Sequence, residues 1–335
     1  MPMLRLALDP GHMDHCLNQC LQKKEGSCQA APARLPSLFR LEAIHVRRHK
    51  TGRRCLIEYQ LFAPARGVFS VLGKIRAKGL DQRSYEAQQG LWQNGFDTAC
   101  TDKISVPEPL GVLPHLNMWL QDKVTASPVI GALSGKEGPT LASRIAQAVD
   151  KLHKQGIATA RSHGIQDELR ILGEQLRPVI AKHPAWQERI EKILARCTQL
   201  GNRLPPAAPC PSHRDFYHDN ILFDGDRLLL VDLDLYCLAD PGLDMGNFIA
   251  HLMDYKLRSC GDTAALGPVL HTLRGSCSVC NETAYARQIE IYTTLSLARL
   301  VAISTRIPGR EQWTTALMEL CEQELDRNLG APAKV

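Results

Sequence analysis

One stretch limits what this chain can fold into more than any other. Residues 213–234 read His-Arg-Asp-Phe-Tyr-His-Asp-Asn-Ile-Leu-Phe-Asp-Gly-Asp-Arg-Leu-Leu-Leu-Val-Asp-Leu-Asp. A carboxylate, Asp215, stands five positions before an amide, Asn220. A short apolar strand and a turn follow, and a second apolar strand, Leu228–Val231, delivers Asp232 and Asp234. Acids gathered this closely need a rigid strand–turn–strand frame and cations to face them. Phosphoryl transfer to a hydroxyl uses such a set: one carboxylate orients the hydroxyl and accepts its proton, while an amide and a further carboxylate hold Mg²⁺ on nucleotide phosphates.

The rest of the chain divides by hydrophobic period. Residues 1–36 are irregular, with Pro2, Pro10, Pro32 and Pro36 and a short helix expected near 13–23; they read as an extension of undisclosed role. Strands are expected at Leu41–Arg48 and Cys55–Phe62, joined by the turn His49–Arg53, then at Val68–Arg76, which carries Lys74. Helical spacing takes over in Asp81–Asn94, where Asp81 suits the N-cap and Gly95 the stop. Two further short strands, in 106–113 and at His115–Leu120, complete a five-strand, one-helix lobe over residues 37–125. Gln121–Gly138 reads as a linker. Residues 126–335 are mostly helical, with helices expected at Thr140–Gln155, Ile165–Lys182, Pro184–Leu200, Asp244–Leu257, Asn281–Ser304 and Glu311–Leu329.

Charge follows the same division. Residues 41–80 hold nine Lys or Arg against two Glu, whereas residues 210–250 hold eight Asp against two Arg. That split suits one region facing phosphate oxygens and another facing metal ions. The basic residues lie in one hairpin without interleaved aromatics, so no nucleic-acid partner is expected. No run of eighteen apolar residues and no signal-peptide pattern is present, so neither a membrane partner nor secretion is expected. The twelve cysteines then read as reduced cytoplasmic thiols. Two groups invite a metal reading: His12, His15, Cys16, Cys20 and Cys28, and Cys277 with Cys280. Neither shows a second ligand pair at zinc spacing, and free thiols are the simpler reading.

Lys74 on a strand, Glu86 on the next helix, His213-Arg-Asp215 with Asn220, and Asp232 with Asp234 together resemble the aminoglycoside phosphotransferase and choline kinase family. The run Asp240-Pro-Gly-Leu-Asp244 extends the resemblance, which covers roughly residues 41–300. It implies an α+β, bilobal protein-kinase-like fold with a small antiparallel-sheet N-lobe and a mostly helical C-lobe. It also implies an ATP- and Mg²⁺-dependent phosphotransferase acting on a small-molecule hydroxyl acceptor: a sugar, an amino alcohol or an aminoglycoside-like compound. By position, Asp215 would be the catalytic base, and Asn220, Asp232 and Asp234 the metal ligands. Lys74 would contact the α- and β-phosphates and pair with Glu86, while His213 and Asp244 would brace the loop.

Three departures stand out. No glycine-rich G-x-G-x-x-G loop is present, and the basic turn carrying Lys50, Arg53 and Arg54 is expected to cover the phosphates instead. Arg214 stands where small-molecule kinases commonly have Gly, which hints at a protein kinase. Only seven residues separate Asp232 from Asp240, however, too few for an activation segment that docks a peptide. A regulatory nucleotide binder that transfers little phosphate is the alternative from another class; retention of Lys74, Asp215, Asn220 and Asp232 speaks against it. For the acceptor, a cation cage could draw on Tyr255, Tyr285, Tyr292 and Trp313, but core packing explains them equally well. Glu282, Glu290, Glu311, Glu319, Glu322 and Glu324 suggest an acidic wall, though five arginines lie among them.

Overall fold

A computed structural model describes residues 3–22, 39–64, 66–157, 159–261, 263, 266–275 and 282–330. They form two compact units, residues 1–126 with 229–234, and residues 127–228 with 235–335. No helix among the described residues is long and apolar enough to cross a membrane.

The first unit begins with helices α1 (Met3–Ala7) and α2 (Pro10–Gln22), followed by strands β1 (Arg40–Lys50), β2 (Arg54–Ala63) and β3 (Gly67–Arg76). Helix α3 (Gln82–Gln93) and strands β4 (Ile104–Ser105), β5 (Pro109–Leu113) and β6 (Met118–Asp122) complete it. Five strands pair in the order β1-β2-β3-β6-β5, all antiparallel.

Period-two alternation gives this sheet two unlike faces. Cys55, Ile57, Tyr59 and Leu61 of β2 and Phe69, Val71 and Ile75 of β3 form one apolar face. Ala7, Met13, Cys16, Leu17 and Leu21 of α1 and α2 belong to the same core, and the Tyr59 hydroxyl donates to the Ala7 carbonyl at 3.0 Å. The N-terminal helices therefore cover the sheet, a role that the first 36 residues did not disclose in sequence. Gly73 is required here, because a Cβ would lie 2.6 Å from Met118 Sδ and 2.9 Å from the Tyr59 ring. The alternate positions Arg54, Glu58, Lys74 and Arg76 make the other face. Asp81 caps α3 by accepting from Ser84 N at 3.4 Å, as its sequence position suggested.

The second unit contains β7 (Ser127–Pro128), α4 (Ile130–Leu133), α5 (Gly138–His153), β8 (Ser162–His163), α6 (Ile165–Lys182), α7 (Gln187–Gly201), β9 (Cys210–Ser212) and β10 (Ile221–Phe223). Strand β11 (Leu228–Leu230) leads to Asp232, and β12 (Cys237–Ala239), α8 (Gly242–Cys260), α9 (Gly267–Gly275), α10 (Glu282–Ser304) and α11 (Thr314–Leu329) finish the chain. α6 matches the sequence expectation to the residue; α9 was not expected. The segment 121–138 is not a featureless linker, since it carries β7 and α4. Strand β12 runs parallel to β8 and antiparallel to β9, and this small sheet fixes the start of the 213–220 loop. Helices α8 and α10 approach closely at Gly242 and Gly246. A Cβ on either glycine would come within 2.9 Å of the α10 backbone, at Gln288–Ile289 and Tyr292–Thr293 respectively.

Candidate active site

In the second unit the loop after β9 is held from below by Asp244, whose side chain is wholly buried. Its two carboxylate oxygens accept the backbone N–H groups of His213 and Arg214, each at 2.7 Å. The sequence expectation starts a helix at Asp244. Helix α8 starts two residues earlier, so Asp244 lies in its first turn, where the helix dipole favours a carboxylate. His213 is buried with its ring edge-on to Phe216, and Asn247 Nδ2 donates to the Phe216 carbonyl at 3.0 Å. Arg214 sits in the left-handed region, φ +67°. That conformation explains why a glycine would be at ease there, and why arginine at this position is strained.

Asn220 locks the next turn. Its Nδ2 donates to the Asp215 carbonyl at 2.8 Å and to Asp215 Oδ2 at 3.2 Å. At the hairpin that follows, Asp224 Oδ1 accepts from Asp226 N and Arg227 N. Asp215 lines a cavity of about 590 Å³ together with Arg214, Tyr217, His218 and Asp219 of the loop, Glu174 of α6, His251, Asp254 and Arg258 of α8, Arg299 of α10, and Arg310. Arg299 is fixed by Glu168 at 3.0 Å and Asn247 Oδ1 at 2.5 Å, and His163 also meets Glu168, at 2.6 Å. Burial alone would raise the Glu168 carboxyl; Arg299 and His163 outweigh it and bring it to about 2. Burial, reinforced by Arg299, His218, Arg310 and Arg258, drives His251 well below the usual imidazole range, so it is neutral.

This cavity differs from the acceptor walls suggested by sequence. Tyr285 and Tyr292 are core residues, and the Tyr292 hydroxyl donates to Asp240 at 2.5 Å. Glu290 pairs with Arg287, Glu322 with Arg189, and Glu324 is buried. The Glu282 side chain lies outside the described residues. Helix α10 gives the cavity Arg299, Leu300 and Ile303 rather than acids.

The first unit holds the second group of candidates. Lys74 is half-buried, with Nζ 4.6 Å from the Trp119 ring centroid, because the register places Lys74 opposite Trp119. Its charge acts on Asp232 and Asp234, two buried carboxyls that also act on each other. Burial raises the Asp232 carboxyl, with Asp234 adding to the rise and Lys74 opposing it. Burial acts on Asp234 too, but Lys74, Arg76 and Arg54 outweigh it and hold that carboxyl below its ordinary value. Asp234 Oδ2 accepts from Arg76 Nη2 and, at 3.1 Å, from Arg54 Nη1, and Arg76 Nε also meets Asp81 at 2.5 Å. Asp232 has φ +64°, a second non-glycine residue held in the left-handed region.

Two expectations need correction here. Glu86 is not brought to Lys74: it is exposed and accepts from Gln82 at 3.0 Å. The reason is the face of α3, which buries Ser84, Ala87, Gln88 and Leu91 and turns Glu86 outward. Of the basic turn, Lys50 and Arg53 are exposed around Gly52, φ +69°, but Arg54 is committed to Asp234. Lys50 is lowered from the usual lysine value by Arg48, then Arg54, and partly restored by Asp232, so the turn carries a dense positive potential near that carboxylate.

The model of the phosphotransferase enzyme family, APH, matches residues 91–267. The chain belongs to this family. It is therefore a small-molecule kinase, with an α+β, kinase-like fold. A comparison with curated protein sequences finds no match. Among solved structures, a choline/ethanolamine kinase family protein from Mesorhizobium loti shares 13% identity, with a TM-score of 0.58 over 92% of this chain and 95% of that one. Choline kinase from Cryptosporidium parvum shares 12%, with a TM-score of 0.59 over 95% and 96%. Amicoumacin kinase, solved with AMP-PNP and Ca²⁺, shares 13%, with a TM-score of 0.57 over 94% and 95%. At these identities the likenesses speak for the fold of this phosphotransferase.

Proposed function

We propose that the chain transfers the γ-phosphate of ATP to a hydroxyl of a sugar-like acceptor seated in the cavity beside Asp215. The observation that carries this reading is Asp215 itself. One carboxylate oxygen is held by Asn220 and the whole group lines a cavity large enough for a small metabolite. Asp215 orients the acceptor hydroxyl and takes up its proton as the oxygen attacks.

Asn220 of the second unit and Asp232 of the first each offer an oxygen donor that would suit Mg²⁺. Their donors fit a hard cation, which prefers amide and carboxylate oxygens. Burial and the neighbouring Asp234 carboxyl raise the Asp232 carboxyl, a cost that a bound cation would offset. Mg²⁺ held there would offset the negative charge that develops on the transferring phosphate. Asp234, engaged by Arg54 and Arg76, holds the basic strands in place rather than serving as a metal ligand. Lys74 receives the α- and β-phosphates, and Lys50 and Arg53 cover them in place of a glycine-rich loop. Glu86 has no part in this scheme.

The lining of the cavity favours a sugar over the other acceptor classes. Four arginines stand against four carboxylates, Glu174, Asp215, Asp219 and Asp254. Donors and acceptors of both kinds suit a polyhydroxylated molecule, and a lining with as many arginines as carboxylates gives a quaternary ammonium or a polycation no net attraction. Measuring ADP release with ATP, Mg²⁺ and a panel of sugars, amino alcohols and aminoglycosides tests the reading. Sugar-stimulated turnover supports it; stimulation by the polycations alone overturns the acceptor class. Nucleotide binding without turnover on any acceptor favours a regulatory nucleotide binder.

A further inference from the structure

Away from the residues assigned to phosphoryl transfer, a thiol and two imidazoles converge from distant parts of the chain. Helix α2 carries His12 and Cys16 four positions apart, so both project from one side. The single 3₁₀ turn Pro114–Leu116, between β5 and β6, adds His115. Cys16 Sγ lies 3.5 Å from His12 Nε2 and 3.6 Å from His115 Nε2, and all three donor atoms fall within 4.8 Å of one another. The two imidazoles meet edge-on, with ring centroids 5.5 Å apart.

These separations suit a tetrahedral metal. Zinc binds sulfur at about 2.3 Å and imidazole nitrogen at about 2.0–2.1 Å, and at a tetrahedral angle that geometry sets the two donors roughly 3.6 Å apart. The donor set is also selective, because thiolate and imidazole suit zinc, whereas Mg²⁺ prefers oxygen. Cys16 is buried and His115 exposed, so one side of the triad opens to solvent. The surrounding structure fixes the α2 half. Asp9 Oδ1 accepts from His12 N at 2.7 Å, Asp14 Oδ1 from Leu41 N at 2.8 Å, and Met13, Leu17 and Leu21 anchor α2 in the sheet core. His15 is engaged elsewhere, with Gln19 at 2.8 Å, and the Cys20 thiol approaches the Val112 carbonyl. Cys28 lies outside the described residues.

We propose that His12, Cys16 and His115 form a zinc site that clamps the N-terminal helices to the β5–β6 turn, with water as the fourth ligand. Binding converts the Cys16 thiol to a metal thiolate and releases its proton to solvent. Sequence spacing shows only two of the three donors, since His115 follows Cys16 by 99 residues.

Cobalt serves as the probe, used on the full-length, untagged protein after dialysis against a chelator. Titration is expected to give a thiolate-to-cobalt charge-transfer band and tetrahedral d–d bands, saturating near roughly one equivalent per chain and displaced by zinc. Cys16→Ser is expected to abolish the charge-transfer band. His115→Ala, a surface change that spares the core, is expected to weaken cobalt binding about 10–100-fold. A cobalt spectrum without a thiolate band overturns the proposal, as does a band that survives both substitutions. Magnesium at the oxygen donors gives no such band, so neither result bears on the phosphotransfer reading.

Discussion

Replacing Asp244 tests how the 213–220 loop is held. Its carboxylate is wholly buried and accepts two backbone N–H groups at 2.7 Å, from His213 and Arg214. Hydrogen bonds to a charged group contribute about 1.5–3 kcal/mol each, and a buried donor left without a partner costs about 1–3 kcal/mol. Asp244→Ala removes both acceptors at once; relief from burying a charge offsets part of the loss. A net destabilisation of about 3–5 kcal/mol is expected. Asp244→Asn keeps the volume and one acceptor but turns an NH₂ toward the other N–H, so about 2 kcal/mol is expected. Urea unfolding followed by circular dichroism measures both. Because Arg214 is held at φ +67° by the same carboxylate, phosphoryl transfer should fall in both variants even where they remain folded. A loss below about 1 kcal/mol in Asp244→Ala, or full activity in Asp244→Asn, would refute the clamp.

Other outcomes follow from the same geometry. Arg214→Gly should be more stable than Arg214→Ala by about 1 kcal/mol, because only glycine takes the left-handed conformation without strain; equal unfolding midpoints contradict the strain. Glu168 lies at about 2 against an ordinary 4.5, so its contribution is present above about pH 4.5 and lost as pH falls toward 2. The stability gap between the native chain and Glu168→Gln should therefore close over that window, and a gap independent of pH counts against the Arg299–Glu168–His163 network. Replacing Lys50 and Arg53 together with Ala should weaken ATP binding about tenfold by calorimetry, most strongly at low salt; unchanged affinity removes the turn from the nucleotide site.

Much of this arrangement is legible in the sequence, for physical reasons. Strands β2 and β3 alternate, and helix α6 repeats at 3.6 residues between a glycine and a histidine–proline stop, so local pattern and tertiary structure agree. The short strands β8, β9 and β12 have no pattern of their own, and only their pairing with one another makes them strands. Helix α9 is only nine residues long, too short for a sustained period. The Lys74–Glu86 pair failed although a signal was available: Ser84, Ala87, Gln88 and Leu91 mark the buried stripe of α3, and Glu86 falls off it. The partners of Asp234 and the left-handed backbone at Arg214 and Asp232 come from contacts distant in sequence, which spacing does not encode.

In the proposed reaction Asp215 serves the acceptor and leaves nucleotide binding to other residues. ADP release measured with and without acceptor in Asp215→Asn, beside ATP affinity in the same variant, tests it most directly. Native ATP affinity and a fall in acceptor-dependent turnover of about 10²–10⁴-fold are expected. Turnover close to native, or loss of ATP binding in step with activity, would contradict it.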